Sequence, residues 1–140
     1  MMVVPALLLA VVAVAASPAA AGGRPLATAL TGAAEVPGPG DPDGAGTARL
    51  TLNSGQEEIC FALSVSGIAP ATAAHIHKGS AEMAGPVVVP LVPSTSGSSS
   101  GCVAVDRDLV KEIRNDPANY YVNVHNSEHP AGALRGQLSK

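Results

Sequence analysis

From Thr47 to Val65 the chain alternates apolar and polar residues with a period of two, and nothing else in the sequence constrains its fold as tightly. Ala48, Leu50 and Leu52 share one face of the first run while Thr47, Arg49 and Thr51 take the other. Asn53, Ser54 and Gly55 supply a turn, after which Ile59, Phe61, Leu63 and Val65 face inward from a second run. Two half-buried strands joined by a tight turn are a hairpin, and the rest of the chain has to cover its apolar face.

Further strands are expected at Leu26 to Leu30, Ala73 to His77, Val87 to Val92, Gly101 to Val105, Tyr120 to His125 and Leu134 to Leu138, with joints rich in Gly and Pro. The composition agrees: there are 15 Gly and 12 Pro, only Phe61, Tyr120 and Tyr121 are aromatic, and the core must come from Val, Leu, Ile and Ala. One segment changes period. Asp108 to Asn115 spaces Leu109, Val110 and Ile113 as a helix does, with Asp106 or Asp108 able to cap it and Pro117 to stop it. The fold expected is all-β: an antiparallel two-sheet sandwich with Greek-key connections and one short helix. Ser94 to Gly101 reads as a mobile loop within the domain, and there is no internal repeat or interdomain linker.

The first residues read as a leader. Val3 to Ala16 is uncharged and apolar but shorter than the about 20 residues a bilayer needs, and Ala19, Ala20 and Ala21 offer a small-residue cleavage site. The expectation is a signal peptide over 1–21, a domain over 22–140, a secreted or cell-surface location and no membrane span after cleavage. In that oxidising compartment Cys60 and Cys102 are expected to pair. Closing a loop of about 43 residues would stabilise the fold by roughly 4 kcal/mol. Cys60 points away from Ile59 and Phe61, so the bond should lie on the face opposite the core.

Net charge is −3, with no cluster of Lys and Arg and almost no aromatic platform, so nucleic acid is not an expected partner. Gly97 to Gly101 matches G-x-S-x-G, but no parallel sheet or following helix supports a nucleophile elbow there. Asp41, Asp43 and Gly44 faintly resemble a calcium loop, yet Leu52 stands where a bidentate Glu belongs.

The histidines carry more chemistry. His75 and His77 lie two apart on a strand, so both project from one face with Cα atoms about 6.8 Å apart. His125 closes another polar strand face with Tyr121 and Asn123, and His129 follows in a loop. Three imidazoles from His75, His77 and His125 with one open position suit copper or zinc. His-x-His is a weak motif, and the spacing alone favours histidines that pin loops by bonding to backbone and to Asn123.

Several stretches together resemble the CHRD domain, an extracellular module named after chordin. Leu30, Thr31, Gly32, then Glu35, Val36, Pro37 resembles its opening Leu-x-Gly-x-x-Glu-Val-Pro, and Gly44 to Ala48 its glycine entry to the first hairpin. Ala74 to Gly79 resembles its His-Ile-His-x-Gly signature, with Gly85, Pro86 and Val87 following. Tyr121 to His125, then Pro130, Ala131, Gly132 and Arg135, Gly136, Gln137 resembles its closing motif, with Ala133 where Glu is usual. The resemblance runs from Leu30 to Leu138 and implies an extracellular β-rich module. The His-x-His strand with a later strand histidine is also similar in arrangement to the copper strand of Cu/Zn superoxide dismutase, by analogy alone.

Within the motif, Glu35 and Arg135 are expected to form a salt bridge tying the first and last strands, and Tyr120 and Tyr121 to be one core ring and one rim ring. Three functions of different class follow. The default is a secreted, non-enzymatic binding or surface module for an extracellular or cell-surface ligand. The alternative is a copper- or zinc-binding envelope protein using His75, His77 and His125. The third is a purely structural surface protein.

Overall fold

The computed structural model describes residues 23–140, so the leader expected over 1–21 lies outside the described residues. Eight strands form, in chain order β1 (Arg24–Thr31), β2 (Ala45–Asn53), β3 (Glu58–Ser66), β4 (Ala71–Lys78), β5 (Val87–Leu91), β6 (Ser98–Ala104), β7 (Tyr120–Asn126) and β8 (Leu134–Gln137). One helix, α1 (Arg107–Asn115), lies between β6 and β7. Asp106 caps it by accepting from Asp108 N at 2.9 Å, and Val110 and Ile113 turn into the core.

All eight strands belong to one antiparallel sheet in the order β5-β4-β7-β8-β1-β2-β3-β6. The two-sheet sandwich expected from the strand count is therefore corrected to a single sheet curled into a nearly closed barrel. The reason is β1, which pairs along its length with β2 and at its end with β8, through Thr31 opposite Arg135. Thr28 Oγ1 adds a bond to Gln137 O at 2.8 Å. Edges that a sandwich would leave open at this seam are hydrogen-bonded together. At the other seam, Ser99 Oγ of β6 donates to Val92 O, just past β5, at 2.8 Å.

Ser98, Ser99 and Ser100, expected in a loop ahead of the strand at Gly101, already belong to β6. Serine has weak strand preference of its own, and here pairing with Ala62, Leu63 and Ser64 of β3 overrides it.

The interior is lined as the period of two requires: Leu50 and Leu52, Ile59, Phe61 and Leu63, Ala74 and Ile76, and Val122 and Val124 are all buried. Cys60 and Cys102 stand opposite one another on β3 and β6, with Cα atoms 3.9 Å apart, and are disulfide-bonded on the outer face.

A polar face under three loops

The histidines lie outside the barrel. Since Ala74, Ile76, Val122, Val124 and Leu134 point into it, their neighbours His75, His77, Tyr121, Asn123, His125, Arg135 and Gln137 point out. This outer face is nevertheless largely covered, with Tyr121 3%, Asn123 2% and Arg135 1% exposed. Three loops do the covering, and each grips a different residue of β7. Gly85 N of the 79–86 loop donates to Tyr121 Oη at 2.9 Å. Glu35 Oε1, from the 32–44 loop, accepts from Asn123 Nδ2. Pro130 O, from the 127–133 loop, accepts from His125 Nδ1 at 3.0 Å.

Two glycines make this cover fit. A Cβ on Gly85 would overlap Lys78 O, and one on Gly132, whose φ is +143°, would overlap the Glu35 carboxylate.

The structure brings His75, His77 and His125 together, with one ring nitrogen of each within 4.8 Å of the others. Strand pairing accounts for this: His77 is opposite Tyr121 and His75 opposite Asn123, so His125 follows on the same face of the adjacent strand. Ring centroids lie 5.4 Å apart for His75 and His77 and 5.1 Å for His75 and His125.

A carbonyl can only accept, so the bonds to backbone decide which nitrogens carry protons. His77 Nδ1 donates to Gly85 O at 2.8 Å, leaving Nε2 with its lone pair, and that Nε2 is buried without any hydrogen-bond partner. His125 Nδ1 donates to Pro130 O, which likewise frees its Nε2, and this atom lies 3.2 Å from His75 Nδ1. The partners that orient the rings are thus backbone carbonyls; Asn123, the other acceptor expected, bonds Glu35 and Leu134 O instead. Burial, then the positive charge each imidazole would feel from its neighbours, holds His75 below the ordinary imidazole range. Burial does the same for His77 against the opposing pull of Gly85 O.

His129 stands apart, with Nε2 3.8 Å from Asp41 Oδ2. The cluster of Glu58 with Cys60 and Cys102 offers no thiolate, because the sulfurs are bonded to each other.

Two expectations about the motif residues are corrected. Glu35 and Arg135 form no salt bridge: among the described residues the ion pairs are Lys78 with Glu112, Arg107 with Glu57 and His129 with Asp41. Arg135 donates instead to Met83 O and Ser80 O, both at 2.7 Å, while Glu35 takes the Asn123 amide. Nor is either tyrosine a rim ring. Tyr120 faces the core, and Tyr121 is buried on the outer face beneath the 79–86 loop. Sequence reasoning missed this cover; the Gly85-Pro86 pair that follows the His-x-His strand was its one visible sign.

A family model for the CHRD domain matches residues 26–138, which is nearly every described residue. The chain belongs to the CHRD family. No curated protein and no solved structure matches it at a significant level. In this CHRD domain the signature histidines, Tyr121, Asn123 and His125 of the Tyr-Val-Asn-Val-His strand, and Arg135 and Gln137 of the closing motif share the outer sheet face. Among the described residues no helix is long and apolar enough to cross a membrane. Beside the site, the 31–44 segment encloses a cleft of about 500 Å³ bordered by Thr31, Glu35, Pro39 and Asp41.

Proposed function

We propose that this CHRD domain is an extracellular module that binds a copper or zinc ion through His75, His77 and His125, without catalysing a reaction of its own. The observation carrying this reading is the pair of prearranged lone pairs. His77 Nε2 is sealed from solvent with no protein partner, and His125 Nε2 is freed by the bond its other nitrogen makes. Leaving a buried nitrogen unpaired costs about 1–3 kcal/mol, a cost a ligand would remove. The 3.2 Å between His75 Nδ1 and His125 Nε2 is close to the about 3.3 Å that two nitrogens take on one tetrahedral zinc.

In the metal-free protein His75 Nδ1 donates to His125 Nε2, so metal entry requires His75 to carry its proton on Nε2 instead. The donor set is neutral and all nitrogen, and the general order of affinities then puts copper(II) ahead of zinc. The low basicity of His75 and His77 keeps both in the ligating, unprotonated form at neutral pH.

Titration calorimetry on protein without a histidine tag tests the proposal. Saturable binding of one copper per chain is expected, tighter than zinc, with at least a hundredfold loss in His77→Ala and no change in His129→Ala. Absence of saturable binding, or binding indifferent to His77→Ala, would sink it. The reading left standing would be a binding module for an extracellular or cell-surface ligand, with the 31–44 cleft as its site.

A further inference from the structure

We infer that Tyr121 and Arg135 are positioning residues for the histidine cluster, fixing the tautomer and direction of His77 through the 79–86 loop. The metal role of the cluster is taken from the reading above, but the geometry concerned exists without metal.

Strand order sets up the arrangement. β7 lies between β4 and β8, so the Tyr121 ring receives His77 from one neighbour and Arg135 from the other. The imidazole stacks on it with centroids 4.8 Å apart and planes 7° from parallel. The guanidinium carbon sits 3.4 Å from the ring centroid. A buried guanidinium is costly unless its donors are used, and no carboxylate pairs with this one among the described residues. What it does hold is the loop, through Ser80 O and Met83 O. Gln137 Nε2 holds the same loop at Gly79 O, 2.7 Å away.

With the first half of the loop held from β8, Tyr121 Oη takes the Gly85 N–H. The Gly85 carbonyl then receives Nδ1–H of His77, and the lone pair on Nε2 is left buried and without a partner. The Gly85 carbonyl can only accept, so the proton on His77 Nδ1 is placed by a loop that Tyr121 and Arg135 hold, residues that do not bond His77 Nε2. If Tyr121 served only as packing, Phe would replace it without effect. If Arg135 served only as a buried cation, Lys would suffice, although it lacks the planar fork that reaches two carbonyls.

Long-range proton–nitrogen correlation spectra of the imidazoles, recorded on metal-free protein near pH 8, read this directly. The wild type should show His77 as a single Nδ1–H tautomer. Tyr121→Phe and Arg135→Lys should both show His77 exchanging between tautomers, while His125, held by Pro130 O, stays unchanged. In copper titrations both variants should lose about tenfold or more in affinity. A His77 tautomer that is unaltered in Tyr121→Phe would overturn the inference whatever the copper result. Tautomer exchange in a protein whose wild type binds no metal would uphold the positioning role and remove only the metal reading. Should Arg135→Lys fail to fold, Tyr121→Phe, which deletes one oxygen, decides the question.

Discussion

The two halves of the barrel wall differ in what lies on their outer face. On β1, β2 and β3 that face is bare: Ala27, Arg49 and Ser64 are exposed, and each strand follows the simple alternation of one buried side. On β7 and β8 both faces are buried, apolar side chains inward and polar ones beneath loops outward. A strand buried on one side needs only its core residues to be specified. One buried on both also needs partners for the polar atoms of the second side, and Glu35, Gly85, Pro130, Ser80 and Met83 supply most of them, while Asn123 Oδ1 and Arg135 Nε stay unpaired. The bare half is a scaffold. The covered half, with the neighbouring β4, is where His75, His77 and His125 come together.

The comparison can be broken most forcefully at the one covalent feature of the bare half. Replacing Cys60 and Cys102 together by Ser should lower stability by roughly 4 kcal/mol in denaturant unfolding, given their separation of 42 residues. The spectra of the histidines on the covered half should be unchanged under native conditions. Loss of the His75–His125 contact in that variant would show that the halves are not independent.

A smaller effect sharpens the contrast between the two outer faces. Asn123→Ala should cost about 2–3 kcal/mol, because it strips the Glu35 carboxyl of its donor inside a closed cover. Arg49→Ala, at an equivalent outward position on the bare half, should change stability by less than about 0.5 kcal/mol. Equal costs for the two substitutions would refute the distinction.

The smallest effect is one of pH. Burial raises Glu35 to about 7, against the opposing influence of Arg135 and of the bond from Asn123. Between pH 4.5 and about 7 the folded carboxyl holds a proton that the unfolded one has lost, so this residue reduces stability as pH rises through that window. Glu35→Gln should therefore match the wild type at pH 4 and exceed it at pH 8, by about 1–2 kcal/mol after allowance for partial solvent access. His75 and His77 act in the opposite sense. Their depressed basicity removes stability as pH falls below the ordinary imidazole value of about 6.5, and this dependence should survive in Glu35→Gln.

Much of the inner wall was legible because alternation is a local property. Leu50, Phe61, Ile76 and Val122 declare their direction through the residues beside them, and the same rule put His75 and His77 on one face and Cys60 opposite the core. Closure was not legible, since it depends on β1 meeting β8 through Thr31 and Arg135, far apart in sequence. The cover was hidden for a related reason. Arg135 and Glu35 look like natural partners by charge, yet the guanidinium serves carbonyls of a loop, and carbonyls carry no signature in the amino-acid code. For the same reason the sequence named the three imidazoles but not the two backbone atoms that set their protons.

The near meeting of β5 and β6 bears on how copies of this domain coexist. An open sheet ends in rows of unpaired N–H and C=O groups that can recruit a strand from another molecule and seed fibrils. Here the strand that would be most inviting, the valine-rich β5, carries Pro90 and runs for only five residues. Its counterpart β6 is stapled to β3 by the disulfide. Both free edges are thus blunted against strand addition, β5 by its proline and its shortness and β6 by the bond from Ser99 to Val92 O beside it.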